Sequence, residues 1–529
     1  MSYSSGFYST GSSLGGGMGG GYGGGYGGSV NNTSLQGLST IKPIRPSFKT
    51  SEGHYKLIKE ISPQAQKYSK RLLTRSFVKL SMFSNSVSSH QSATTPAGGS
   101  GSGSGKAKQK NIIHPPSYNS NNEIYFALIT GVTYFLYHFV NVDKTEHEER
   151  VVSSIDRNLT CVRFNRVKST NHKMHLIIGT DCGELHYIEQ GEPPSIVFNR
   201  GGRLVAHCVT AVEWVPGSCT QFIACFANGT ILVFDITRPE MTPGVAMTNE
   251  YASQRSKMNP VGELFVSKKS INGVAFSPNG RYLAVAALDG LLSVFDFDAK
   301  QLVVAFKSYF GGFLCVDWSP DGKYLASGGE DDFLSIWSFE ERCLVARGQG
   351  HQSWVSSVRF DPDVILDEEG LKTQTNSPLL QPINKQPAAS LFYRIVTGGE
   401  DTRLLLWDFT RDSLRKPRNL QTSKPVDGLD QSTTNAVPAP SMDASNPLIV
   451  NAPSRLHAPI LLPVVSHRVH PDPVTDIMLT KEWIVTATNK KICIWARPNT
   501  VANTQKADSM MCSPNTPSSF TAMNMKFHE

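Results

Sequence analysis

Through the middle of the chain, apolar and polar positions alternate in short runs that stop at turn-forming residues. Residues 314–339, LCVDWSPDGKYLASGGEDDFLSIWSF, hold three such runs separated by an SPDG turn and an acidic turn. Residues 272–297 repeat the design with SPNG. A period of two over about 4 to 8 residues marks a half-buried strand, so each segment predicts three antiparallel strands joined by tight turns. A finer regularity runs through the chain: an Asp, Asn or Gly that opens a turn is followed six residues later by an aromatic in an apolar run. Seven pairs obey it: Gly131 with Tyr137, Asp181 with Tyr187, Asn228 with Phe234, Asp289 with Phe295, Asp331 with Trp337, Asp401 with Trp407, and Asn489 with Trp495. Residues 124–140, IYFALITGVTYFLYHFV, approach the length of a membrane helix. Their β-branched and aromatic content around Gly131 instead predicts two buried strands joined by a turn.

A unit of three or four short strands with an acidic turn and a Trp-Asp-like pair on its third strand is the WD-repeat pattern, written here as Trp-Ser, Trp-Asp, Phe-Asp or Trp-Ala. Asp289 and Asp331 are 42 residues apart, close to one repeat. Asp331 and Asp401 are 70 apart, an excess of 28 that segment 363–390 supplies, and Asp401 and Asn489 are 88 apart, an excess of 46 that segment 411–456 supplies. The reading is an all-β fold, a seven-bladed WD40 β-propeller over residues 111–497 with loop insertions at 363–390 and 411–456. A closed ring removes exposed edge strands. The last repeat stops after its third strand, at 491–496, so an earlier strand must complete it. Within residues 71–110, the run 76–83 (SFVKLSMF) is expected to do so, ahead of a Gly/Ser linker.

The ends of the chain differ in composition from its middle. Of residues 11–28, 12 are glycine, which leaves too little apolar surface to offset backbone entropy, so residues 1–70 read as a disordered head, Gly/Tyr-rich and then basic. Residues 498–529 read as a disordered polar tail. The chain has a net charge of +7, but residues 1–114 hold 13 Lys and Arg against Glu52 and Glu60, a net of +11, which leaves −4 for the rest. The cations therefore precede the ring, which argues against nucleic acid as its partner. The nine cysteines include no CxxC pair and the chain opens without a signal-peptide pattern. Both features point to a reducing compartment, the cytoplasm and also the nucleus, with no membrane association.

Catalytic and metal chemistry find little support. His351, Thr397, Asp401 and Trp407 have the places of the hydrogen-bonded set of a WD blade, where the hydroxyl sits on a strand without oxyanion donors or a nucleophile elbow. Asp331 and Trp337 hold the equivalent structural places one repeat earlier. His172 with His175 and His467 with His470 have HxxH spacing but lack the Glu of a zincin. No GxxxxGK[ST] accompanies the glycine-rich head. The expectation is a non-enzyme without metal or cofactor.

What remains is surface. Loops leading into first strands crowd one face of a propeller, and two neighbouring ones carry aromatics: Tyr309 and Phe310 in KSYFGG, and Trp354 in GHQSWV. Aligning Trp318 with Phe360 places Tyr309 where the next repeat has His351, so Phe310 and Trp354 are expected on one face. Neighbouring exposed aromatics have the composition of a protein-binding hot spot. Glu330, Asp331 and Asp332 would add an acidic rim suited to a basic partner.

KSYFGGFLCVDWSPDGKYLASGGEDDFLSIWSF, followed by RCLVARGQGHQSWVSSVRFDP and the later ICIWARP, resembles the WD repeat-containing protein 20 family, which includes the dystrophia myotonica WD-repeat protein and the fungal CreC proteins. The resemblance runs through most of residues 70–500. It implies a non-catalytic activator that binds and allosterically stimulates ubiquitin-specific proteases of the types called 12 and 46, in a ternary assembly with WD repeat-containing protein 48, promoting protein deubiquitination. Phe310 and Trp354, supported by Tyr309, Glu330 and Asp332, would then contact the protease. Two other readings stay open: a general WD40 adaptor such as a ubiquitin-ligase substrate receptor, and an RNA-associated protein acting through its head.

Overall fold

The computed structural model describes residues 44–50, 53–62, 79–84, 124–139, 148–170, 173–189, 196–240, 257–366, 392–410, 414, 441–443, 446–454 and 457–498. The described strands group into seven sheets, numbered here in chain order. Sheet one holds Lys79–Ser84, Ile124–Thr130, Thr133–Phe139 and Glu148–Ser154; sheet two holds Leu159–Phe164, His175–Thr180, Leu185–Glu189 and Ile196–Phe198. Sheet three holds Val209–Trp214, Gln221–Phe226, Thr230–Asp235 and Gly262–Phe265. Sheet four opens with Ile271–Phe276, Tyr282–Ala287, Leu291–Asp296 and Gln301–Lys307, and sheet five with Phe313–Trp318, Tyr324–Gly329, Phe333–Ser338 and Cys343–Gln349. Sheet six holds Val355–Leu366, Phe392–Gly399, Arg403–Phe409 and Val465–Arg468. Sheet seven starts with Asp476–Leu479, Trp483–Ala487 and Ile492–Ala496.

The first strand of each sheet touches the first strand of the next, and Asp476–Leu479 returns to Lys79–Ser84, so the innermost strands close a circuit. Apolar clusters fill every space between neighbouring sheets around it. This is why middle strands such as His175–Thr180 and Phe333–Ser338 are buried along their whole length: both faces meet a neighbouring sheet. Each aromatic of the seven turn pairs lies on the third strand of its sheet and is buried. The stretch 124–140 forms two strands with a turn at Gly131, whose φ of 57° a glycine adopts without strain. Among the described residues no helix is long and apolar enough to cross a membrane.

Three sequence expectations need correction. The closing strand of sheet seven is Gly53–Ile61, antiparallel to Ile492–Ala496, with Ser47–Thr50 paired outside it. The run expected to close the ring contributes Lys79–Ser84 instead, the innermost strand of sheet one, antiparallel to Ile124–Thr130. Sheet one needed its own first strand, and this run fills that place before the chain reaches residue 124. Residues 44–62 therefore belong to the folded body, whereas 1–43, 85–123 and 499–529 lie outside the described residues. The third correction concerns the insertions. Val355–Leu366 extends into segment 363–390, and segment 411–456 contains two strands, Ser441–Asp443 and Asn446–Asn451, added to the outer edge of sheet four.

Candidate protein-binding face

In an antiparallel sheet of this order, the turn between second and third strands and the loop after the fourth strand emerge at the same end. Tyr309 and Phe310 lie in the loop between sheets four and five, and Trp354 in the loop between sheets five and six, so the three share that end. These residues are 48%, 69% and 42% exposed, respectively. Sequence reasoning missed two further exposed apolar residues at this end: Leu288, in the second turn of sheet four, and Phe265, at the close of the fourth strand of sheet three. Both stand in ordinary-looking apolar runs. The signals available were the Asp289 turn residue next to Leu288 and the strand end at Phe265.

Backbone contacts hold the two aromatic loops. In the first, Ser308 Oγ donates to the Gly311 carbonyl at 2.6 Å, and the Ser308 amide donates to the Gly290 carbonyl at 2.8 Å. The Gly312 amide donates to Glu330 Oε2 at 2.8 Å, and the Glu330 amide returns a bond to the Gly312 carbonyl at 3.0 Å. Gly311 has φ 64°, and a Cβ there would lie 2.7 Å from Glu330 Cβ, so only glycine fits the turn. Glu330 is therefore a brace for the Phe310 loop, which corrects the expectation of a freely presented acidic rim. Asp331 is half-buried and accepts from the Phe333 amide at 3.2 Å. Burial pushes its carboxyl up to about 6, against the pull of that amide and of Arg347. Asp332 is half-buried, with φ 62°.

The second loop hangs on the His351 set. The consistent arrangement has His351 Nδ1–H donating to Asp401 at 3.0 Å, the Thr397 hydroxyl donating to His351 Nε2 at 2.8 Å, and Trp407 Nε1–H donating to Thr397 Oγ1 at 2.8 Å. Asp401 also accepts from the amides of Gln352 and Arg403, and the Glu400 amide donates to the Trp354 carbonyl at 2.9 Å. Burial works against the Asp401 charge, but the His351 bond and the two amides outweigh it and hold the carboxyl below its ordinary value. The set thus fixes the backbone that presents Trp354. In sheet five, Tyr309 stands where His351 would be, and Trp337 Nε1–H donates to Ser327 Oγ at 2.9 Å. A third set, which the sequence pattern did not single out, occurs in sheet seven. Trp495 Nε1–H donates to Thr486 Oγ1 at 3.1 Å, and that hydroxyl donates to His470 Nε2 at 2.7 Å. Burial pushes His470 down to about 4. His467 lies against Phe48 and Trp495, so both histidines of the second HxxH pair have structural partners, while His172 of the first lies outside the described residues.

Replacing Thr397 with Val removes the hydroxyl that joins His351 to Trp407 and leaves two buried nitrogens without it. Stability is expected to fall by about 1 to 3 kcal/mol, measured by urea unfolding. An unchanged midpoint would mean that the set holds nothing.

The architecture and its repeated acidic turns define a WD40-repeat β-propeller protein. A model of the WD domain, G-beta repeat, matches residues 258–296 and 300–338. The UBP9-binding protein bun62 of Schizosaccharomyces pombe (strain 972 / ATCC 24843) is 32% identical over 373 residues, 64% of this chain and 64% of that protein. The WD repeat-containing protein 20 of Mus musculus is 35% identical over 286 residues, 48% of this chain and 50% of that protein. The matches thus span less than two thirds of either relative. Among solved structures, a chain of the "Crystal Structure of Mitotic Checkpoint Complex" matches with a TM-score of 0.45 and 13% identity, over 71% of this chain and 87% of that one. This chain thus carries WD40 repeats and is similar to WD repeat-containing protein 20 over about half its length.

Proposed function

We propose that this protein is a non-catalytic subunit that grips a ubiquitin-specific protease through the face bearing Phe310 and Trp354 and raises its turnover. The observation that carries the reading is the pair of exposed aromatics on adjacent loops whose backbones are already fixed by Glu330 and by the His351 set. Rigid aromatic anchors lose little conformational freedom on binding, and such residues dominate interface energetics. The name of the fission-yeast relative, which records binding to UBP9, supports a protease partner. The finer form of the proposal is a protease of the 12 and 46 types, in assembly with WD repeat-containing protein 48. Stimulation requires tighter binding to the active arrangement of the protease than to the inactive one, and a coupling of about 1 to 3 kcal/mol gives about 5- to 150-fold.

The test is turnover of a fluorogenic ubiquitin substrate by such a protease, with the full chain added at increasing concentration. The wild-type chain is expected to raise turnover saturably. Phe310→Ala and Trp354→Ala, both at exposed positions, should melt normally yet need about 30- to 1,000-fold more protein for the same effect. Stimulation undiminished in both variants would overturn the proposed face.

A further inference from the structure

After the third strand of sheet six the chain does not go straight to the fourth. It runs back along two neighbours, Asn446–Asn451 pairing in parallel with Gln301–Lys307 of sheet four and Ile460–Leu461 with Cys343–Gln349 of sheet five, before Val465–Arg468 completes sheet six. Val450, Ala458 and Leu461 are buried, so this returning segment is packed as a strap. Beneath it lies Arg347, on the fourth strand of sheet five and only 1% exposed. The Arg347 amide donates to the Pro459 carbonyl at 2.8 Å, and Nη2 donates to the Pro453 carbonyl at 3.2 Å. The guanidinium carbon sits 4.8 Å from the ring centroid of Tyr309 and 5.2 Å from that of Phe333.

We propose that Arg347 is a positioning residue: fixed by the strap, its guanidinium plane holds Tyr309 in the orientation that the partner-binding face presents. A buried guanidinium persists where acceptors, countercharge and aromatic faces replace its water, and here the strap carbonyl, the Asp331 carboxyl and two rings contribute. The cation is then immobile, and the Tyr309 ring, which stays half exposed, rests against it. A tyrosine ordered before binding gives up less freedom when a partner arrives. Loss of that ordering corresponds to about 2- to 10-fold in affinity. Lysine would keep the charge but not the flat surface, so this position asks for arginine. The consequence for affinity rests on the proposed protease reading; the placement of Tyr309 does not.

The test uses the full chain labelled with 3-fluorotyrosine, the Tyr309 resonance being assigned by its disappearance in Tyr309→Phe. Arg347→Met keeps the volume without the charge, and Arg347→Lys serves as the milder second variant should the first unfold. In either, the Tyr309 resonance is expected to shift. Binding of a ubiquitin-specific protease should weaken about 2- to 10-fold in the wild-type and Trp354→Ala backgrounds, and no further in Tyr309→Ala. An unmoved resonance, or an equal loss in all three backgrounds, overturns the proposal. A shifted resonance in a chain that binds no such protease supports the positioning and removes the protease reading.

Discussion

A chain lacking residues 44–62 is expected to lose the single cooperative unfolding transition of the propeller. Those residues supply the fourth and fifth strands of sheet seven. Phe48 and Tyr55 are buried in the core between sheets six and seven, and Ile61 in the core between seven and one, so one segment seals the last sheet on both sides. Phe48 stacks on Tyr55 at 4.8 Å and leans on Trp495 at 5.7 Å, and Lys491 Nζ meets Glu60 Oε1 at 3.0 Å. Each buried side chain of this size contributes about 1.5 to 3 kcal/mol. The loss of three approaches the whole net stability of a domain, which is about 5 to 15 kcal/mol. Differential scanning calorimetry would report it as a broadened, strongly lowered transition. A sharp transition at the wild-type temperature would contradict the assignment of the closing strand.

Asp361→Ala should destabilise the protein by about 3 to 5 kcal/mol, because it leaves a charge stranded in the interior. Asp361, on the first strand of sheet six, accepts from Arg497 Nη1 at 2.7 Å, just beyond the third strand of sheet seven, and both side chains are buried. The pair ties the last two sheets together. Replacing both partners by apolar residues, Asp361→Leu with Arg497→Met, should recover most of the loss, since a matched apolar pair avoids the desolvation penalty that the charges carry. Urea unfolding of the single and double variants measures the difference. If the double variant were as unstable as Asp361→Ala, lost packing rather than a stranded charge would be the cause.

The repeat was legible because its signals are local. A turn residue and an aromatic six positions later lie on one hairpin, and all seven aromatics stand on third strands. Partner choice is not local, and the strand that closes sheet seven differs from the one expected. The run 76–83 was visible as a strand, but nothing in it says which neighbour it takes. Gly53–Ile61 gives a weak strand signal because a bulge between Leu57 and Lys59 breaks its alternation, and as an outer strand it keeps polar side chains facing water. The strap was hidden for a related reason: its strands are short and pair in parallel with residues more than a hundred positions earlier. Phe310 and Trp354 could be found as aromatics in glycine- and serine-bearing loops. Glu330 could not be recognised as a brace, because its acceptor role depends on how closely Gly312 approaches. The burial of Arg347 is likewise invisible in the sequence, because it depends on a strap more than a hundred residues further on.

The proposed binding face for a ubiquitin-specific protease is the one carrying Phe310 and Trp354. Titration calorimetry of the full chain against such a protease tests it most directly, with wild type compared to the Phe310→Ala, Trp354→Ala double variant. Saturable binding by wild type is expected, with a loss of at least about 100-fold in the double variant and an unchanged melting transition. Equal affinity of the two proteins would contradict it.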